Sequence, residues 1–397
     1  ESLMISRFAF SNFYSFADET EVSFEVSKKP SLSYFDVELN DGVRLNKIIS
    51  IIGANGSGKT QLLRPLAFLS WFISKSFLQS DPKDEIPIRP HMLKADEVST
   101  FELEFYIGSD KYKYKLETTV TEVIHESLYQ KTSHLYSYVF IRDLVAGQYI
   151  YKQKGFLFNR SQAEKIRGNV SLIAAAHIHD SVVATKFIEF FDHNVFNLNV
   201  SGRDNFHEGE LLESADFFYQ NDRFQDVVSE LLGELDLGLS SVEIEEVKGK
   251  NEKGEIHKFY LPIGVHDDDE GSFRLPFFDE SNGTQSAYVL LRSILPVLET
   301  GGVVIWDEMD NDLHLHMLLR LIELFKFEHT NPHHAQLIFT CHTHEVLNAF
   351  KKHQHYLVEK NSHYSESWRL DEVVGLRADD NIYAKYQAGA LGAVPNM

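Results

Sequence analysis

The chain has 397 residues with 59 Asp and Glu against 38 Lys and Arg, a formal net charge of −21 that argues against a surface coated with phosphate-binding cations. At 43% hydrophobic and 24% charged residues its composition is that of a globular protein, enough for one large domain or two smaller ones. A lone cysteine, Cys341, excludes a disulfide scaffold or a Cys-rich zinc site; the lack of an apolar run of about 18 residues or of a secretory leader pattern points to a cytoplasmic protein with no membrane span.

Alternation predicts strands at 5–10 and 21–26, with Asn12 and Ser15 in the turn between them. Lys47-Ile48-Ile49-Ser50-Ile51-Ile52 is a β-branched run ended by Gly53, the pattern of a strand buried on both faces. A helix is expected from 58 to about 77, kinked at Pro65. Residues 101–105 and 111–116 alternate around Gly108-Ser109-Asp110 and predict a hairpin. Lys111, Lys113 and Lys115 share one face, expected to be a solvated edge strand rather than a nucleic-acid groove. From about 125 to 240 the pattern is mainly helical. Strands return at 242–245 and 258–261 around a polar tip, and His266 to Gly271 reads as a solvated loop. Its acidic run lacks the alternating ligand spacing of a calcium loop. Thereafter helices 284–299, 313–327 and 344–350 alternate with strands 302–306, 336–341 and 355–359, which implies parallel pairing and an α/β fold.

Gly53-Ala54-Asn55-Gly56-Ser57-Gly58-Lys59-Thr60 fits G-x-x-x-x-G-K-[ST] between a buried strand and a helix. The glycines let successive backbone N–H groups curl inward onto phosphate oxygens, and the helix adds its positive end. Lys59 can reach the β- and γ-phosphates, and the Thr60 hydroxyl can ligate Mg²⁺. Gly302-Val303-Val304-Ile305-Trp306-Asp307-Glu308 is an apolar strand ending in two carboxylates. Asp307 suits the Mg²⁺ shell, and Glu308 suits polarisation of the attacking water. Gln336-Leu337-Ile338-Phe339-Thr340-Cys341-His342 ends a neighbouring strand, at the edge where ligands of such sheets collect, so His342 can donate to the γ-phosphate. Ser281-Asn282-Gly283-Thr284 opens a helix and is a second anion-binding turn, which two chains arranged head to tail can bring to the same phosphate.

This order of motifs resembles the ATP-binding cassette ATPases of the RecF and structural-maintenance-of-chromosomes type. Ile5-Ser6-Arg7-Phe8 and Asn12-Phe13-Tyr14-Ser15-Phe16 look like that group's first strand and turn. The resemblance implies a P-loop NTPase of ABC type with Walker A at 53–60, Walker B at 303–308 and a degenerate signature at Ser281, Asn282, Gly283 and Thr284. Asp310 then falls at the D-loop and His342 at the switch histidine, with ATP and Mg²⁺ as cofactors; no glutamine is assigned to a Q-loop. More narrowly, Gly375-Leu376-Arg377-Ala378-Asp379-Asp380-Asn381, Lys385-Tyr386-Gln387-Ala388-Gly389, Gly392-Ala393-Val394-Pro395 and Leu235-Asp236-Leu237-Gly238-Leu239 resemble segments of AbiL and RloA-like ATP-binding proteins of bacterial abortive infection. That likeness implies bacteriophage defence beside a separately encoded Toprim-type, RloB-like effector.

The expected organisation is an N-terminal half of the ATPase head with an antiparallel β subdomain (1–124), a helical insertion (125–240) and a C-terminal half of the head (241–397). No heptad repeat separates Thr60 from Ser281, so no coiled-coil rod is expected. Residues 343–397 are too few for a fused nuclease, which is expected on another chain. The partners expected are a second copy of the chain, with a homodimer or higher oligomer, and the effector, through which any nucleic acid would be met. A RecF-like repair ATPase that binds DNA directly is the alternative, and a transporter subunit a third. The pairs His177/His179 and His314/His316 diverge at i, i+2 on a helix and are read as non-metal, as Cys341 is read as packing.

Overall fold

The β-branched run 48–52 lies inside a six-stranded sheet, as its two-sided apolar pattern requires. The computed structural model describes residues 2–394 apart from 201, 205 and 237. It divides into two units, one of residues 1–203, 297–308 and 325–397, the other of 204–296 and 309–324. Among the described residues, no helix is long and apolar enough to cross a membrane.

In the larger unit the sheet order is Val195–Phe196, Val303–Trp306, Gln336–Thr340, Ile48–Gly53, His355–Asn361 and Tyr364–Arg369. The first five strands run parallel and the last turns back antiparallel. Parallel pairing sends the carboxyl ends of the three motif-bearing strands to one edge. The register Val303↔Gln336 and Leu337↔Ile48 sets their ends side by side.

A seven-stranded antiparallel sheet forms the second layer, in the order Gln148–Gln153, Leu135–Val145, Val123–Thr132, Asp110–Thr118, Ser99–Ile107, Leu3–Ser11 and Thr20–Ser23. A single buried cluster joins both sheets with the helix Lys59–Gln79, through Phe68, Phe72, Phe101, Phe105, Ile49 and Ile305 among others. That helix continues through Pro65 without a break. Gln336 ties the layers where no ladder does: its side chain accepts from the Ile5 amide at 2.7 Å and donates to the carbonyls of Ile5 and Asn46 at 2.9 and 3.0 Å.

Two expectations are corrected here. Residues 123–153, expected to begin a helical insertion, complete the antiparallel sheet instead, and helix starts only at Arg160. Half-buried Tyr136 and Tyr138 around the polar Ser137, and a register shift between Tyr138 and Phe140, blur the strand alternation over Leu135–Val145. The strand Asp110–Thr118 is interior rather than an edge. Its Lys111 meets Glu25 at 3.3 Å, and Lys113 lies 4.1 Å over the Tyr136 ring, near Glu102 and Glu104. These cations are neutralised at home.

The smaller unit holds the helices Gly209–Gln220 and Gln225–Leu235, and a three-stranded antiparallel sheet of Ser241–Lys250, Ile256–Asp268 and Gly271–Pro276. The helix Asn282–Thr300 begins in it. The acidic run forms a hairpin rather than an open loop, its two strands pairing Asp268 with Gly271.

Two buried histidines, His355 at the start of its strand and His353 in the turn before it, are expected to make the larger unit acid-sensitive. His355 is fully buried with Nδ1 2.5 Å from Ser50 Oγ, and His353 Nδ1 lies 2.9 Å from Asn46 Oδ1. Burial pushes both down from 6.5 to about 4. Because the folded value is depressed, the stability each contributes is complete above pH 6.5 and lost as pH falls toward 4, on the order of 3 kcal/mol per histidine. Urea midpoints measured at pH 7.5, 6 and 5 are expected to fall steadily, and His353→Gln to flatten that dependence.

Candidate functional site

The phosphate loop is shaped by two glycines in the left-handed region, Gly56 at φ 75° and Gly58 at φ 112°, where other residues are strained. A Cβ on Gly53 would come within 2.4 Å of the Val358 carbonyl, so the loop's first residue must also be glycine. Ser365 Oγ supports the curl from behind, 2.6 Å from the Ser57 carbonyl and 2.7 Å from Ser15 Oγ. Ser57, Gly58 and Lys59 are buried, Ala54 and Thr60 are half-buried, and Asn55 and Gly56 are exposed. The buried Ser57 Oγ makes no hydrogen bond to protein. Lys59 Nζ donates to the Gly53 carbonyl at 2.7 Å and lies 3.4 Å from His342 Nδ1.

Walker B meets this loop directly. The Thr60 hydroxyl donates to Asp307, 3.0 and 3.1 Å from its two carboxylate oxygens. The Thr340 hydroxyl donates to Asp307 Oδ1 at 2.6 Å and accepts from the Glu308 amide at 2.7 Å. Glu308 sits at φ 50°, an uncommon conformation for a side-chain-bearing residue, and this turns its carboxylate toward His342 Nε2 at 3.3 Å. Arg203 pairs with the other carboxylate oxygen.

Lys59, Thr60, Asp307, Glu308 and His342 therefore converge, as their motifs predict. Sequence reasoning missed Asn197, whose side chain grips Asp307 by both backbone groups: it accepts from the amide and donates to the carbonyl, each at 2.7 Å. It also missed Arg203, Thr340 and Ser365. Asn197 lies between two strands of two residues and Arg203 within a third, all too short for any periodic signal, whereas Thr340 was readable as the polar end of an apolar strand.

Ser281, Asn282, Gly283 and Asp310 belong to the smaller unit. Ser281 Oγ accepts from the Thr284 amide at 3.3 Å, capping the helix, and the Thr284 hydroxyl donates to Asp236 at 3.0 Å. Asp236 comes from the 235–239 segment, whose Leu237 lies outside the described residues. Ser281 and Asn282 are exposed. A Cβ on Gly283 would lie 3.1 Å from the Asp312 carbonyl, and the Asp310 carbonyl accepts from the Leu313 amide at 3.0 Å.

The donor set fits Mg²⁺ with a phosphate chain. A hydroxyl facing one carboxylate supplies few protein ligands, and Mg²⁺ keeps waters and substrate phosphates for the rest. Among the described residues no group of three or more His, Cys, Asp or Glu could hold a metal by itself. His177 bonds Thr185 at 3.0 Å, His179 the Ala175 carbonyl at 2.8 Å, and His314 caps a helix. A cavity of 350 Å³ opens beside the loop, lined by Tyr14, Gly56, Gln61, Arg89, His91 and Lys360 among others. Its size suits a base and ribose. The Arg64 guanidinium lies 4.5 Å over the Tyr14 ring at its wall.

Residues 48–348 match the family described as "AAA domain, putative AbiEii toxin, Type IV TA system". The chain belongs to this family. The match spans the glycine-rich loop and the strand ends that carry Asp307, Glu308 and His342, and this AAA protein has the α/β P-loop NTPase fold expected from its motifs. None of the curated proteins matches it. Among solved structures it is similar to the Smc head bound to the C-winged helix domain of ScpA, at 13% identity and a TM-score of 0.48, over 93% of this chain and 99% of that one. It is also similar to the Smc head domain with a coiled coil and joint from Pyrococcus yayanosii, at 11% identity and a TM-score of 0.45, over 98% and 99%.

Proposed function

We propose that this AAA protein binds and hydrolyses ATP in a head-to-tail dimer of ABC type and uses that cycle to regulate a separately encoded effector in bacterial anti-phage defence. The observation that carries the catalytic part is the convergence of Lys59, Thr60, Asp307, Glu308 and His342 on one edge of the parallel sheet. Backbone N–H groups of 54–60 and the Lys59 ammonium bind the β- and γ-phosphates. Thr60 and Asp307 would hold Mg²⁺, which supplies neutralisation of the phosphate charge. Glu308 orients and polarises the attacking water, and His342 Nε2–H donates to the γ-phosphate. The partner subunit's Ser281, Asn282 and Gly283 close the site from the far side, with Asp310 at the dimer seam, and C₂ symmetry gives two equivalent sites.

The family description, which names an AbiEii-type toxin system, and the AbiL/RloA-like tail support the defence reading. A Toprim, RloB-like nuclease is the effector proposed. Direct DNA binding is the weaker reading, because Lys111 and Lys113 are engaged by carboxylates and the chain carries −21. Calorimetry with MgATP tests the core of the proposal. Wild-type protein is expected to bind, and Lys59→Ala, which loses a charge-assisted contact to two phosphates, to bind roughly 100-fold more weakly or not at all. Equal affinity for the two proteins would remove the site. ATP-dependent co-purification with the product of the adjacent gene tests the partner.

A further inference from the structure

Arg203 is delivered to the active edge by an anchored hairpin. Leu198, its cross-strand partner, is buried in the main core, and the preceding Asn197 clamps the Asp307 backbone. The Arg203 guanidinium pairs with Glu308 from this two-stranded ladder. It is the far end of a continuous polar chain. Lys59 Nζ lies 3.4 Å from His342 Nδ1, His342 Nε2 lies 3.3 Å from Glu308 Oε1, and Arg203 pairs with Glu308 Oε2. Lys59 donating to Nδ1 fixes the histidine proton on Nε2, facing the carboxylate.

Both oxygens of Glu308 thus face donors, and for this carboxylate to polarise water both have to yield: His342 Nε2–H to the γ-phosphate, as proposed above, and Arg203 to a partner of its own. The terminal phosphate of ATP, held by Lys59, would enter beside this chain. It carries more charge than a carboxylate and offers three oxygens to a planar, forked donor. Of the two donors on Glu308, arginine is the one whose geometry matches phosphate bidentately. ADP lacks the group that competes.

We propose that Arg203 is a γ-phosphate-binding residue that exchanges its Glu308 partner for the terminal phosphate, and that this exchange is how the chain tells ATP from ADP. The proposal rests on the reading of residues 53–60 as the ATP site. Its test is binding rather than turnover: calorimetric affinities for Mg-AMPPNP and Mg-ADP in the wild type, Arg203→Ala, Arg203→Lys, Glu308→Gln and the Arg203→Ala/Glu308→Gln pair. Arg203→Ala is expected to weaken AMPPNP relative to ADP by roughly 10–100-fold, and Arg203→Lys, which keeps charge but not the fork, to recover part of that loss. Glu308→Gln, removing the competitor, is expected to tighten AMPPNP several-fold when Arg203 is present and not when it is alanine. If Arg203→Ala folds poorly, Arg203→Lys and Glu308→Gln decide. An AMPPNP-to-ADP ratio that stays at the wild-type value in the Arg203 variants overturns the proposal, as does equal tightening by Glu308→Gln with or without Arg203. A wild-type protein that binds neither nucleotide overturns the ATPase reading and this proposal together. Binding that is lost in Lys59→Ala but indifferent to Arg203 overturns this one alone.

Discussion

Glu308→Gln is expected to slow ATP hydrolysis by roughly 10²–10⁴-fold, the usual contribution of a positioned general base, while ATP binding is retained or tightened. The amide keeps the size of the carboxylate, and the backbone that presents it is held independently, through the Glu308 amide on Thr340 and through Asn197 on Asp307. Its loss is therefore confined to charge and proton affinity at one side chain. In a head-to-tail dimer the stalled step leaves ATP trapped between subunits. Light scattering with MgATP is expected to show a persistent dimer for Glu308→Gln and a transient one for the wild type. A variant that turns over at the wild-type rate would take the role of base away from Glu308.

Arg142→Met is expected to destabilise the larger unit by about 3–5 kcal/mol, the range for breaking a buried ion pair from one side. Arg142 and Glu126 are both fully buried, 3.6 Å apart. The guanidinium donates to the carbonyls of Val170, Ile166 and Arg167 at 2.9, 3.0 and 2.8 Å and lies 4.0 Å over the Tyr149 ring. Glu126 accepts from Tyr114, Ser171 and the Leu172 amide at 2.5, 2.7 and 2.7 Å, so it caps the helix Leu172–Ile178 from the antiparallel sheet. Methionine fills the volume but orphans three carbonyls and leaves a buried carboxylate without its cation. The pair Arg142→Met/Glu126→Gln is expected to recover part of the loss in urea unfolding, because it removes the stranded charge.

The parallel half of the molecule was legible because its signals are local. A glycine-rich octet, two carboxylates after an apolar strand and a histidine after another each announce a strand end, and parallel pairing then brings those ends together. What escaped notice acts through geometry rather than pattern. Asn197 flanks and Arg203 ends a strand of two residues, and their importance comes from which backbone or carboxylate they reach across the fold. The sheet over 123–153 was hidden for another reason: tyrosines that are half-buried on a strand satisfy neither an apolar nor a polar alternation. Nothing in the local sequence sets Glu126 and Arg142 apart from other charged residues. Only their burial shows them to be a keystone.

The strand Ile48–Gly53 is flanked by Gln336–Thr340 and His355–Asn361, and Ser365 backs the loop that follows it. Ser57 is therefore synthesised 308 residues before the serine that backs its carbonyl. During translation the nascent chain carries the glycine-rich motif without its sheet neighbours until residues 336–361 have been added. The shape of the loop is thus a long-range property, complete only once residue 365 has joined it.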